Sequence, residues 1–516
     1  MPPRSEERRR PPKVTPQRSR QEFVLALDQG TSSSRAIVFD REGERIAEAR
    51  QPLAASFPRP GWVNQDPREI VATTIDAARE AIERADIGTT SIAAIGIANQ
   101  RETTVVWDRE TGEPVAPAIV WQSRQSVPQV EALVDRGMGT RIQAITGLIP
   151  DAYFSATKLA WLFETEPDIR RRGEAGELLF GTVETWLIWN LSGGLRHVTD
   201  IANASRTMLL DLSTGDWSDE LLADLGIPRS LLPDVVGSAE HLCTVDASHF
   251  GAEIRVTGSA GDQQAALFGH GCVHRGQAKN TYGTGSFLLV NVGPEPTPSR
   301  HRLLSTVAWR IGDETTYALE GAIFVTGAAV QWLRDGLGII EDAAAVEPLA
   351  ASVPDTGGVI FVPALTGLGA PWWDPSARGT VFGISRATTA GHLARATLEA
   401  IAFQTRDVVE AMAADAGSPL TELRVDGGAA ANDLLMQIQA DALGIPVVRP
   451  EQLEATALGA ARLATVGAGL TPFDRSAESA GTDRVFEPAI SIDERETRYD
   501  RWRHAVQRAG GWESSG

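Results

Sequence analysis

LALDQGTSSSRAIVFD, residues 25–40, places an apolar strand on each side of a Gly-Thr-Ser-Ser-Ser turn, with one carboxylate, Asp28, where the first strand ends. A hairpin tip needs glycine for its backbone, but it does not need four hydroxyls. Backbone N–H groups in such a turn point outward and can wrap phosphate oxygens, with the hydroxyls as further donors. The Gly-x4-Gly-Lys-Ser/Thr run of a P-loop is absent. Taken alone, the stretch is equally well an ordinary tight turn. Its counterpart tips the balance: AKNTYGTGSFLLVNV (278–292) is again strand, Gly-Thr-Gly turn, strand. Two such hairpins at the heads of two halves predict one shared phosphate site.

Around both hairpins the pattern alternates between short strands and amphipathic helices. FVLALD and SRAIVFD read as paired strands and GERIAEARQ as a third. PREIVATTIDAAREAIERA has apolar residues at helical spacing and Pro67 at its start. SIAAIGIAN is a buried strand and RETTVVWD another; in the second half a long helix (RATLEAIAFQTRDVVEAMAADAG) precedes the strand ELRVDGG and the helix DLLMQIQADALG. The fold class is α/β, with two related units facing one cleft. The expected division is a basic leader over residues 1–21, units over 22–271 and 272–505, and a tail from 506 to 516.

Composition narrows the function. A chain of 516 residues is too long for one ordinary core. With 42% hydrophobic and 22% charged residues and a net charge of −19, it is a poor partner for nucleic acid or anionic membranes. Two cysteines, Cys243 and Cys272, make neither a disulfide framework nor a zinc site. No apolar run approaches the roughly 20 residues of a membrane helix. With no signal peptide either, the expectation is a cytoplasmic protein. The leader MPPRSEERRRPPKVTPQRSR has the composition of a disordered segment.

Three further segments carry candidate chemistry. In VTGSAGDQQAALFG (256–269) a strand ends in small residues before Asp262, which is either a helix N-cap or a carboxylate able to take a proton from a substrate hydroxyl. In LRVDGGAAANDLL (423–435) small residues would let a flat ligand lie against the backbone, and Asn432 could hydrogen-bond it or simply cap a helix. NQRETTVVWD (99–108) sets Arg101 and Glu102 at the carboxyl edge of a sheet, where α/β folds bind ligands. A donor and an acceptor side by side suit the vicinal hydroxyls of a polyol. Trp121 and Tyr153 could cover its carbon backbone or belong to the core.

Together these segments resemble the FGGY carbohydrate kinases, from about Phe23 to Trp502. ALDQGTSSSR, GIANQRETT, AIVWQSR, GELLFGTVETWLIW, TDIANASRTML, GDQQAALFG, KNTYGTGSF, LTGLGAPWWDPSARG and LRVDGGAAAN occur in the family's order, and YFSATKLAWL and GLGAPWWDPSARGTVFGI resemble its two signature regions. The resemblance implies two actin-like ATPase domains, each with a ribonuclease-H-like core, closing over a nucleotide and substrate cleft. It implies that ATP and Mg²⁺ convert glycerol to sn-glycerol 3-phosphate, in an enzyme that forms dimers or tetramers. By matching position, Asp262 is the general base. Arg101, Glu102, Tyr153, Asp262 and Gln263 contact glycerol, with Trp121 and Phe287 on its apolar side. Thr31, Ser32, Ser33 and Arg35 match the first phosphate hairpin and Thr284 the second, Gly327 and Gln331 further nucleotide contacts, and Gly428 and Asn432 the adenosine motif. Asp28 matches the acid that holds Mg²⁺ through water.

Alternatives stay open at this point: a family kinase for a pentulose or tetritol, or an actin-like nucleotide sensor. The pattern also departs from the family. Some bacterial members bind fructose 1,6-bisphosphate through a Gly-Thr-Arg loop, where this chain has Gly251 but Glu253 at the arginine position, a charge that would repel the ligand. Others are phosphorylated on a loop histidine. His249-Phe250-Gly251 is one residue shorter than that context, and an exposed loop histidine is the expectation.

Overall fold

A computed structural model describes residues 23–452, 454–476 and 481–513. The leader and residues 514–516 of the tail lie outside the described residues.

The hairpin opens the first of two mixed sheets. Strands β1 (Phe23–Gln29), β2 (Ser33–Asp40) and β3 (Arg45–Pro52) form an antiparallel meander. Helix α1 (Pro67–Arg84) follows, with Asp66 capping its first turn and Pro67 at the first helical position, where the missing N–H costs nothing. The chain then returns as β4 (Ile92–Asn99), parallel to β1. After a long excursion β5 (Cys243–Val245) and β6 (Ile254–Gly261) complete the order β5-β6-β4-β1-β2-β3. The strand read from RETTVVWD forms over Val105–Asp108, outside this sheet, in a two-stranded ladder with Leu178–Gly181.

Helix α2 (Asp262–Gly269) leads into the second sheet. There β7 (Ala278–Tyr282) and β8 (Ser286–Gly293) make the second hairpin, flanked by β9 (Leu304–Ile311) and β10 (Glu314–Ile323). After the helices α3 (Gly327–Asp335) and α4 (Ala390–Ala416), β11 (Leu423–Asp426) adds parallel to β7. Helix α5 (Asp433–Leu443) and β12 (Val447–Pro450) follow, and after helix α6 (Ala455–Gly467) the edge strand is β13 (Thr482–Phe486). The order is β9-β10-β8-β7-β11-β12-β13. Each sheet therefore has a hairpin at its centre and parallel strands beside the first hairpin strand; beyond the second lies one antiparallel strand in the first sheet and two, β10 and then β9, in the second. This is the repeat expected from the two Gly-hydroxyl turns.

The two sheets share a core. Val24, Ala26, Ile37 and Phe39 of the first sheet pack in one cluster with Leu289, Ala308, Trp309 and Ala318 of the second, and residues of α2 and α6 fill the space between. Helix α6 thus comes from the second half of the sequence but lies on the first sheet. It approaches by backbone rather than side chain: a Cβ on Gly459 would sit 1.8 Å from the Ala265 carbonyl oxygen, and one on Gly96 of β4 would sit 2.0 Å from that of Ala460. The chain ends in helix α7 (Ile492–Ala509), with Tyr499, Trp502, Val506 and Ala509 buried. Among the described residues no helix is long and apolar enough to cross a membrane.

Candidate active site

Antiparallel register puts Asp28 directly opposite Arg35 across the first hairpin. The two form an ion pair of 2.9 Å, and Arg35 also reaches Glu454 at 2.5 Å. Burial pushes the Asp28 carboxyl above its ordinary range against the pull of Arg35, and the negative charge of Asp262 adds to the rise. The four hydroxyls of the turn divide by role. Thr31 Oγ1 accepts from Trp121 Nε1 at 2.9 Å, Ser32 is exposed, and Ser33 Oγ accepts from Arg50 Nε at 2.8 Å. Ser34 is buried and bonded to Thr73 and Thr74 of α1, so it belongs to the helix–sheet interface.

Beyond the end of β4 the chain turns sharply, and Glu102 takes a left-handed conformation (φ 59°) that costs a non-glycine residue about 1 kcal/mol or more. The Glu102 carbonyl accepts from Ser155 Oγ and Lys158 Nζ, both at 3.1 Å, which holds the strained backbone. Burial lowers the Lys158 ammonium to about 7. Arg101 and Glu102, expected at the carboxyl edge of the sheet, are both buried and 4.0 Å apart at closest. Their main partners come from elsewhere. Arg206 Nε donates to Glu102 Oε1 at 2.8 Å and its Nη2 to Glu320 Oε1 at 2.9 Å. Glu320 in turn holds Arg101 with both oxygens, and Arg101 Nε reaches Asp262 Oδ1 at 3.1 Å. The order Glu102–Arg206–Glu320–Arg101–Asp262 alternates in sign throughout. Burial alone would raise the Glu320 carboxyl, but Arg101 and Arg206 hold it low.

Asp262 is the accessible end of this run, with 32% of its side chain exposed. Gly261, not Asp262, is the N-cap of α2; Asp262 is its first helical residue. Oδ1 accepts from the Gln263 backbone N–H (2.7 Å) and is ion-paired with Arg101, whereas among the described residues Oδ2 accepts only from Gln263 Nε2 at 3.2 Å. A free lone pair therefore remains on Oδ2. Gln263 Oε1 itself accepts from the buried Lys279 ammonium. Around these charges stands an aromatic wall. Trp121 lies edge-on to Tyr153 (5.7 Å) and Phe287 (6.3 Å), and Arg206 and Arg101 sit over the Tyr153 and Phe287 rings. Burial and Glu102 push the Tyr153 phenol up, so it remains a proton-bearing donor. Trp121 thus touches both the first hairpin, at Thr31, and the strand of the second, at Phe287.

The second hairpin ends in Gly283, Thr284 and Gly285, with Thr284 exposed. The start of α3 is laid directly on it. Thr326 and Ala328 donate to the Thr284 carbonyl and Gly327 to that of Gly283, and a Cβ on Gly327 would lie 2.5 Å from the Gly283 oxygen. Gln331 is exposed one turn along α3. Gly428 faces open space, while Asn432 caps α5 by accepting from Leu435 N at 2.8 Å. Continuous contacts link Thr31, Arg101, Glu102, Trp121, Tyr153, Asp262, Gln263 and Phe287, and Asp28 feels the charge of Asp262 from across the gap; among the described residues no side-chain hydrogen bond ties Gln331 or Asn432 to that group. His249, expected to be exposed, is half-buried with its Nε2 3.1 Å from the Asn190 carbonyl oxygen.

Glu320, Arg206, Lys279 and Lys158 escape sequence reasoning. The signal available was an acid inside the oily run YALEGAI and a lysine heading a strand. Neither names its partner.

Similarity to known proteins gives the chain its family. The model for the FGGY family of carbohydrate kinases matches twice, its N-terminal domain over residues 23–269 and its C-terminal domain over residues 278–468. The glycerol kinase of Aromatoleum aromaticum is 57% identical over 491 residues, covering 95% of this chain and 99% of that protein. That of Bordetella parapertussis is 55% identical over 496 residues, covering 95% and 98%. The crystal structure of Plasmodium falciparum glycerol kinase with ADP superposes with a TM-score of 0.90 at 34% identity, over 94% of this chain and 98% of that one. With both halves matched in order and relatives this similar along nearly the whole length, the chain belongs to the FGGY family of carbohydrate kinases, in its glycerol kinase branch.

Proposed function

We propose that the chain transfers the γ-phosphoryl group of ATP to glycerol, giving sn-glycerol 3-phosphate and ADP. One observation carries the reading. Asp262 is a partly exposed carboxylate with a spare acceptor position on Oδ2, fixed on its other oxygen, within electrostatic reach of Asp28, and ion-paired with the Arg101 that sits over the Phe287 ring of the Trp121–Tyr153–Phe287 aromatic group. Phosphoryl transfer asks mainly for positioning, charge neutralisation and exclusion of water. Asp262 Oδ2 takes the proton of the attacking hydroxyl. Arg101 and Glu102 orient the neighbouring hydroxyls, Tyr153 and Gln263 supply donors, and Trp121 and Phe287 cover the carbon chain.

On the nucleotide side, the backbone and hydroxyls of Thr31, Ser32 and Ser33 face the phosphates from the first hairpin and Thr284 from the second. Arg35 adds positive charge, Gly327 and Gln331 border the nucleotide, and Gly428 with Asn432 receives the adenosine. The donor set fits Mg²⁺ bound through Asp28. Among the described residues no cluster of three metal-ligating side chains exists, and Mg²⁺ prefers a carboxylate, phosphate oxygens and its own waters to a protein cage. When bound there it neutralises charge on the phosphates. Two units meeting near residue 271, a cytoplasmic location and assembly into dimers or tetramers complete the proposal. A panel of polyols and ketoses in a coupled ADP-release assay tests it, with glycerol expected to give the highest kcat/KM. A pentulose or tetritol outperforming glycerol would overturn the specificity.

A further inference from the structure

Lys279 is buried at the head of β7, and its ammonium makes three hydrogen bonds: to Gln263 Oε1, to Thr281 Oγ1 at 2.9 Å and to the Phe287 carbonyl at 3.3 Å. An ammonium has three protons. All three are used, so none is left for a phosphate oxygen, although the side chain stands on the strand that leads into the second phosphate hairpin. Its function therefore lies in what it holds. Gln263 has an amide with two unlike ends, one toward Lys279 and one toward Asp262 Oδ2. An ammonium can only donate and a carboxylate can only accept. The amide is then compelled to turn its oxygen to Lys279 and its NH2 to Asp262. The reverse orientation would set NH2 against ammonium and oxygen against carboxylate, two repulsive contacts in a buried site.

We propose that Lys279 is a positioning residue for phosphoryl transfer: by fixing the polarity of the Gln263 amide it presents an NH2 donor beside Asp262 Oδ2 and holds that oxygen ready for the acceptor hydroxyl. The inference rests on the reading of Asp262 as the base. It gives the Asp262–Gln263 pair a division of labour, Gln263 donating to the lone pair of the incoming hydroxyl oxygen while Asp262 receives its proton.

The lock has a pH limit. Burial lowers the Lys279 ammonium to about 8, opposed by Asp426 at the end of β11, Asp262 on α2 and Glu320 on β10 and assisted by the like-charged Arg101 beyond β4. Below that pH the group is an ammonium and the amide has one orientation. Above it the neutral amine gains a lone pair and tolerates either end of the amide, so the Asp262 carboxylate alone is left to favour the NH2 end and the lock loses one of its two arms. Activity that depends on the lock falls as pH rises through about 8.

The test is a cycle of Lys279→Met, Gln263→Ala and the double variant, with kcat and KM measured for glycerol and for ATP across pH 6–10. Each single change is expected to lower kcat/KM for glycerol by about 10- to 100-fold, with KM for ATP within about twofold, and the double change to fall no further than the more damaging single. The alkaline decline near pH 8 is expected in the wild-type chain and absent from Gln263→Ala, which still contains the other low-titrating lysine, Lys158. Additive losses, a KM rise confined to ATP, or an alkaline decline that survives in Gln263→Ala would overturn the proposal. Should Lys279→Met fail to fold, the Gln263→Ala pH profile decides alone. Asp262→Asn in the same assay separates the two readings. If it retains turnover, the base assignment fails; if it is inactive while the cycle is additive, only the role of Lys279 fails.

Discussion

Glu320 sits within β10 between Leu319 and Gly321, opposite Leu289 and Leu304 of the flanking strands, and it joins two arginines, one paired with Asp262 and the other with Glu102. Removing one charge from a buried network leaves its partners uncompensated, at about 3–5 kcal/mol. Glu320→Gln is therefore expected to lower stability by that amount and to raise KM for glycerol, read by urea unfolding and steady-state kinetics. Asp262→Asn keeps the shape and removes the proton acceptor, so turnover is expected to fall by about 10²–10⁴ while ATP binding, followed by calorimetry, stays measurable. The sequence shows Arg101, Glu102 and Asp262 because each stands in a local pattern of strand end, small residues or helix start. It does not show Arg206 or Glu320, because their partners lie more than a hundred positions away. Ion pairing across such separations is set by tertiary packing, which one sequence does not reveal.

Elements were more legible than their contacts. Hairpins, α1, α4 and α5 follow from periodicity, caps and turn residues, and all form where those signals stand. Helix α6 is a run of alanine and glycine with little amphipathic contrast, so its docking surface is invisible until Gly459 and Gly96 are seen touching backbone. Gly459→Ala would drive a methyl group into the Ala265 carbonyl. A loss of about 2–3 kcal/mol in urea unfolding is expected, with little change in KM if the folded fraction is compared. Helix α7 is pinned differently. Asp407 of α4 accepts from Tyr499 Oη (2.6 Å), Trp502 Nε1 (2.9 Å) and Trp372 Nε1 (3.1 Å), yet burial still raises its carboxyl to about 6. Unfolded, the same group titrates near its ordinary value of about 4. Between those values the folded chain binds the extra proton, so this contribution to stability is largest in acid and is lost as pH rises through about 6. Asp407→Asn can satisfy all three partners, with its oxygen toward the indoles and its NH2 toward the Tyr499 hydroxyl. It is expected to remove about 1 kcal/mol of the stability change between pH 5 and 7 in urea unfolding.

At the scale of the whole molecule, the two sheets share a hairpin with parallel strands beside it but do not make two independent bodies. Helix α6 belongs by sequence to the second unit and by packing to the first, and α2 stands beside it between the sheets. A fragment ending at residue 271 would therefore expose the alanine-lined face of β1, β4 and β6. It is expected to be insoluble alone and to become soluble when residues 272–516 are co-expressed, as fractionation of the two lysates would show. That face also has a history during synthesis. At about 5–20 residues per second, the stretch from Gly269 to Ala455 takes on the order of ten to forty seconds to emerge from the ribosome. For that interval the first sheet is complete in its strands but uncovered on one side. The chain thus has a built-in waiting period, during which chaperone access or slow translation, rather than the stability of the finished enzyme, determines how much of it reaches the folded state.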